Sequence, residues 1–218
     1  MAQGNLTIGI DLGSDFSAKF HKEVAREINL KLSSVIPGAL AKIKQMLGNV
    51  VRERISMSPE YAAISGGRFR GELGLPDGAN RVLDIINIWA EGIVVTYVKG
   101  SGGGLGAITI GILDSSWEDV LGSSQAELTY TSRRGAKTLE WLRWMLKEGS
   151  SIIVSQYDFV PRTQSSRTGL GIMVKRRGGW KIPSQLAGTD NDNFATRALE
   201  GIEKDIDMVV RRELTRII

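Results

Sequence analysis

GLGIMVKRRGGWKIPSQLAGTDNDNFATRALEGIEKDIDMVVRRELTRII, residues 169–218, is the stretch whose reading decides the fold. It runs from a short apolar strand (170–174) through a basic turn at Lys175, Arg176 and Arg177 to a loop carrying Trp180. An Asp/Asn cluster at residues 190–193 follows, and then an amphipathic helix. Asp190, Asn191 and Asp192 are residue types that cap helix N-termini, because their short side chains accept hydrogen bonds from the first free N–H groups. Ala195, Ala198, Leu199, Ile202, Ile206, Val209 and Leu214 follow at helical spacing. Read as one helix over residues 193–218, the segment is a rod of roughly 39 Å at about 1.5 Å per residue. Its opposite face, with Arg197, Glu200, Glu203, Lys204, Asp207 and Arg211, is polar. Nothing in this order resembles a catalytic site, and the reading is a docking module.

Upstream, residues 5–12 alternate as a short strand. Residues 15–34 are helical, with Phe16, Phe20, Val24, Ile28 and Leu32 four apart on one stripe. Pro37-Gly38 breaks or kinks that helix, and the pattern resumes over residues 39–55. Ser58-Pro59-Glu60 starts another helix, with Ser as cap and Pro in the first turn. Residues 74–78 form a turn, and Val82, Leu83, Ile85, Ile86 and Trp89 mark a buried helix. A hairpin follows from residues 93–98 and 107–113 around the glycine-rich residues 99–104. Residues 115–120 make a short helical turn, 126–130 a third strand and 139–147 a helix carrying Trp141 and Trp144. Residues 152–160 are a further strand. The predicted class is α+β, an antiparallel sheet with flanking helices, a long N-terminal helical region and a long C-terminal helix. Residues 1–57 read as a strand and helical arm and 58–218 as the α+β core, in one continuous domain.

Composition excludes several chemistries. The 218 residues contain no cysteine and one histidine, His21, so thiol catalysis and Cys-rich zinc sites are out and a Ser-His-Asp triad would have to use that single ring. No run of eighteen apolar residues and no signal-peptide pattern occurs, which predicts a protein made and used in a cytoplasm, or assembled from one.

The net charge is +4, and it is clustered. Residues 161–189 contain no Asp or Glu, but carry Arg162, Arg167, Lys175, Arg176, Arg177 and Lys181. Arg133, Arg134 and Lys137 form a second acid-free group. Both predict contact with phosphate or an acidic partner, or else solvated loops kept soluble by charge.

The Ile8-Gly9-Ile10-Asp11-Leu12-Gly13-Ser14 segment resembles the first phosphate loop of the actin, Hsp70 and sugar-kinase superfamily. The match covers seven residues and runs into a helix rather than a hairpin, so ATP binding is not expected. Pro76-Asp77 offers half of a restriction-nuclease motif, with no Asp-x-Lys or Glu-x-Lys to complete it. Asp114, Glu118, Asp119, Asp190 and Asp192 sit at predicted helix starts, where carboxylates favour the helix dipole. No catalytic residue, cofactor or metal site is predicted. Trp180, between Gly179 and Lys181, reads as hard to bury and as a subunit anchor.

Pro183-x-x-x-Ala187-Gly188-Thr189 followed by Asn193-Phe194-x-Thr196-Arg197-Ala198-Leu199 resembles the C-terminal segment of tail-completion or neck proteins of tailed bacteriophages. The preceding order is similar too: Ser58-Pro59-Glu60-Tyr61, Gly71-Glu72-Leu73-Gly74, Trp141-Leu142 and Gly149-Ser150-Ser151-Ile152-Ile153. The likeness covers residues 36 to 214. It implies a non-enzymatic virion component, a homo-oligomeric ring, expected as a hexamer, between the portal side of the head and the tail. Its partners would be adjacent neck, connector or tail-terminator proteins and the genomic DNA passing through the lumen, with no membrane. Trp180, Lys181, Phe194, Arg197, Trp141 and Trp144 are the expected ring contacts. Arg133, Arg134, Arg162, Arg167, Lys175, Arg176 and Arg177 are the expected contacts to DNA or an acidic partner. Residues 193–218 are expected to be needed for assembly. The alternative is a monomeric nucleic-acid-binding protein using basic loops 131–137 and 161–181.

Overall fold

Helix α1 (Ser14–Ser56) is 43 residues long and passes through Pro37 without ending. Proline removes the N–H that would bond the carbonyl of Ser33. Both residues lie on the exposed side of the helix, where water can take the place of the missing donor. The computed structural model describes residues 14–100, 106–113, 116–132, 135–149, 152–161, 166 and 169–216. The predicted strand at 5–12 and the phosphate-loop-like segment up to Gly13 lie outside them.

Helix α2 (Pro59–Ser65) starts as its sequence predicts, with the Ser58 side chain accepting from the Tyr61 N–H and Pro59 in the first turn. Helix α3 (Arg68–Leu73) ends at Gly74, whose φ of 66° is the left-handed cap that glycine adopts without strain. Helix α4 (Gly78–Gly92) buries Val82, Ile85, Ile86 and Trp89, the periodic apolar positions of its sequence. Strands β1 (Val94–Val98) and β2 (Ala107–Gly111) form the predicted hairpin, in register from Val94 opposite Gly111 to Val98 opposite Ala107. A short helix, α5 (Glu118–Leu121), follows Trp117.

Strand β3 (Leu128–Ser132) pairs antiparallel with β4 (Gly135–Leu139), a strand that the basic composition of the segment concealed. The predicted helix over residues 139–147 is therefore shorter: α6 (Trp141–Arg143) runs into one π-helical turn, Trp144–Glu148. Strands β5 (Ile152–Pro161) and β6 (Gly171–Lys181) form the longest hairpin. Helices α7 (Phe194–Ala198) and α8 (Glu203–Thr215) complete the described chain.

The class is α+β, with antiparallel strands, a long N-terminal helix and a C-terminal helix. The layering differs from one sheet flanked by helices: among the described residues the strands form three two-stranded ribbons. The helices supply most of the core. Ile43, Leu47, Val51 and Ile55 of α1 pack in one buried cluster with Ile85, Ile86 and Trp89 of α4 and with Phe194, Ile202 and Val209 near the C-terminus. At its centre the Trp89 ring meets Trp117 edge-on at 5.9 Å and Phe194 at 5.6 Å.

The terminal helix over 193–218 is two helices. Gly201 takes a left-handed φ of 72° between them. The interruption is supported from α1, because Arg54 donates to the Glu200 carbonyl at 2.8 Å and to the Gly201 carbonyl at 3.5 Å. Arg54 Nε also reaches Asp205 Oδ2 at 2.8 Å, tying the start of α8 to α1. The N-cap of α7 is Asn193 rather than the Asp residues before it. Its Oδ1 accepts from the Ala195 and Thr196 N–H groups, and Thr196 Oγ1 accepts the Asn193 N–H in return. Asp190 and Asp192 instead form ion pairs with Lys147 and Arg197.

Candidate interaction surface

The basic turn and Trp loop read from residues 175–180 are in fact one strand, β6. Its ladder with β5 is irregular. Ser155 pairs with Gly179 and Tyr157 with Lys175, so that Gln156 alone stands opposite residues 176–178. Gln156 sits at φ 61°, a conformation uncommon for a residue with a Cβ. Extra residues on one strand bend a ribbon and re-aim its side chains, and here Arg176 and Arg177 lie in the bulge with Lys175 paired at its edge. Lys175 and Arg177 are exposed on it.

Beyond the bulge, Trp180 points inward and is 8% exposed. Its ring stacks on Phe69 at 6.4 Å and its Nε1 donates to Glu72 Oε2 at 3.4 Å. The expectation that Trp180 stays on the surface as an anchor is thus corrected: the strand turns its indole onto α3 and leaves Lys181 exposed beside it.

Trp141 and Phe194 are corrected in the same way, since both are fully buried and serve the chain's own core. The Trp141 Nε1 donates to the Gln125 carbonyl at 2.8 Å. Arg197 is committed internally as well, bonding Glu60 Oε1, Asp192 Oδ1 and the Ala187 carbonyl. Trp144 is half-buried and Lys181 exposed, and these two remain available to a partner. Arg133, Arg134, Arg162 and Arg167 lie outside the described residues, and of Arg176 only the backbone is described.

The structure brings together residues that the sequence reading did not connect. The ribbons β3–β4 and β5–β6, with α3 and the π-helical turn, enclose a cleft of about 360 Å³. Tyr130, Trp144, Tyr157, Ile172, Met173 and Leu139 are among its walls. Tyr130 lies directly opposite Lys137 in one ribbon, and Tyr157 opposite Lys175 in the other. Directly opposed residues of an antiparallel pair share a face, so each ribbon presents an aromatic ring with an exposed lysine beside it. The walls of the cleft suit an apolar or aromatic group, and the charged residue among them is Glu72. The pairing was invisible from sequence because β4 was read as a loop. Residues 135–139, Gly-Ala-Lys-Thr-Leu, carry no apolar alternation and all but Leu139 are exposed, so the strand has no periodic signal of its own.

His21, the one imidazole, is exposed on α1, an element that does not line the cleft. Among the described residues, no group of three or more His, Asp or Glu side chains is placed to hold a metal ion. The Arg26 guanidinium is held above its ordinary range by its hydrogen bond to Glu23, then by the charges of Glu23 and Glu27. Arg211 is raised likewise by its hydrogen bond to Asp207 and that carboxylate's charge. Both stand on exposed helix surfaces outside the cleft. Among the described residues no helix is long and apolar enough to cross a membrane. No family model, curated protein or solved structure matches the chain.

Proposed function

We propose that the chain is a structural, non-enzymatic component of a tailed-bacteriophage neck, assembling into a ring that joins the head side to the tail and lets DNA pass. The observation that carries this reading is the state of the strands. Each described strand belongs to a two-stranded ribbon, so each has a ladder partner on one edge and no described strand on the other. Isolated two-stranded ribbons are marginal in water, and an open edge is a template for strand addition. A subunit whose sheets are completed by neighbours in a ring explains why the helices supply most of the core. The resemblance of residues 36–214 to neck and tail-completion proteins points the same way, and the basic bulge and the exposed lysines opposite Tyr130 and Tyr157 supply surfaces for an acidic neighbour or for DNA phosphates.

Native mass measurement and negative-stain imaging of the purified chain test the proposal, with a closed ring of six copies or a related multiple as the expected result. A strictly monomeric chain with strongly salt-dependent DNA affinity would overturn it in favour of the monomeric nucleic-acid-binding reading.

Charge reversal separates docking from folding. Lys175→Glu with Arg177→Glu changes exposed side chains, so the thermal midpoint should move by only about 1–2 °C. Ring formation or partner capture should fall at least tenfold. An unfolded double variant would show that the bulge holds the ribbon together instead.

A further inference from the structure

The first half of α1 carries two apolar stripes rather than one. Ala25, Asn29, Ile36 and Ala39 are buried on one side, where the Tyr97 hydroxyl donates to Asn29 Oδ1 at 3.2 Å. At about 100° per residue, Val24, Ile28 and Val35 fall together on a different side, roughly 100° away. They are 39%, 39% and 40% exposed, and Phe20, at the end of the same stripe, is 54% exposed. A shallow groove there is lined by Phe20, Glu23, Val24, Glu27, Ile28 and Lys31. A solvated helix face needs none of these apolar residues, and four on one line make a seam for another helix.

We propose that residues 20–35 of α1 pack antiparallel against the same residues of a second copy. The charges beside the seam decide both the occupant and its direction. Glu23 and Glu27 lie toward the N-terminal end of the groove and Lys31 toward the other. A parallel copy in register sets Lys31 against Lys31 and the glutamates against each other. An antiparallel copy, with its twofold axis near Glu27, sets each Lys31 against Glu23 of the second copy, Glu27 beside its own counterpart, and Phe20 near the second copy's Val35. Every facing charge is alike in the first arrangement, whereas in the second both Lys31–Glu23 pairs are opposite and only Glu27, on the axis, meets its own counterpart. The balance of Asp15, Glu23 and Glu27 against Lys19, Lys22, Arg26 and Lys31 also disfavours an anionic lipid surface, which selects helices with a basic polar face. The contact is isologous, the same patch on both copies, whereas a ring is closed by heterologous contacts. The inference therefore stands apart from the ring reading.

Sedimentation equilibrium of the full chain tests it, through charge swaps at exposed positions. Lys31→Glu alone, and Glu23→Lys with Glu27→Lys, should each weaken self-association at least tenfold; the first should leave helicity and the thermal midpoint unchanged, and the second, which also removes the exposed Arg26 pairs, should lower them only slightly. Mixing the two variants in equal amounts should restore association as a mixed pair, because every facing charge is then opposite. The absence of cysteine allows a second readout: Glu27→Cys should cross-link two copies under mild oxidation, and Lys44→Cys, exposed further along the same helix, should not. A chain that forms rings while ignoring all three charge changes would overturn this contact and leave the ring standing. Failure of the mixture to recover, or equal cross-linking through both cysteines, would also overturn it. Charge-sensitive pairing that stops at two copies would support this contact and count against the ring.

Discussion

Replacing Phe194 with Ala should cost about 3–5 kcal/mol, the range for removing a fully buried aromatic ring. Phe194 is wholly buried against Trp89, whose other side meets Trp117, and it sits one residue after the Asn193 cap that fixes the direction of α7. Truncation leaves a cavity between α1, α4 and α7 that rigid aromatic neighbours cannot collapse into. Domains of this kind are stable by only about 5–15 kcal/mol, so the loss would move the denaturant midpoint by a large fraction. Urea unfolding measures it, with Met208→Ala as an exposed control that should stay within about 0.5 kcal/mol. A cost for Phe194→Ala below about 1.5 kcal/mol would mean that the aromatic cluster is not part of the core. The same geometry changes how the C-terminal segment is probed. Deleting residues 193–218 removes Phe194, Leu199, Ile202 and Val209 from the core, so a failure to assemble would report on folding, not docking.

Arg197→Ala should be the next most damaging change, at about 3 kcal/mol. The Glu60 carboxylate is only 6% exposed, and Arg197 reaches its Oε1 through Nε at 3.2 Å and Nη2 at 3.1 Å. Removing the cation leaves a buried charge uncompensated, which costs about 3–5 kcal/mol for a deeply buried pair. The lower end applies because the Arg197 side chain is a third exposed, at 32%. Glu60→Gln in the Arg197→Ala background should recover part of the loss, since a neutral amide is cheaper to bury than a lone carboxylate. If the two changes were additive in a double-mutant cycle, the pair would not be coupled as the geometry requires.

Elements with strong local signals were legible in the sequence. Ser58-Pro59 gives α2 its cap and first turn, the apolar spacing in residues 82–89 gives α4 its buried face, and the glycine-rich residues 99–104 separate two alternating runs that do form β1 and β2. Features set by distant partners were not legible. Gly201 reads as a tolerated helix glycine until Arg54, far away in sequence, supplies donors for the carbonyls of the broken turn. Pro37 reads as a break until the helix is seen to keep it on the solvent side. Trp180 reads as exposed because its neighbours are glycine and lysine, but strand alternation turns it onto Phe69. For the interaction surface, the sequence identified charge and not placement: Lys175 and Lys137 were in view, and the tyrosines opposite them were not. The apolar stripe of α1 was read correctly as a stripe, yet residues 20–28 of it are exposed.

The division of the strands into three ribbons also determines how the backbone would report on its surroundings. With one ladder partner per strand, alternate amides bond across the ribbon and the others point outward, so deuterium uptake along β3 and β4 should vary with a period of two residues. Slow and fast amides would then interleave within five residues of one strand. If a neighbouring chain docks on an open edge, the fast set on that strand alone should slow, and its identity would name which edge has been filled.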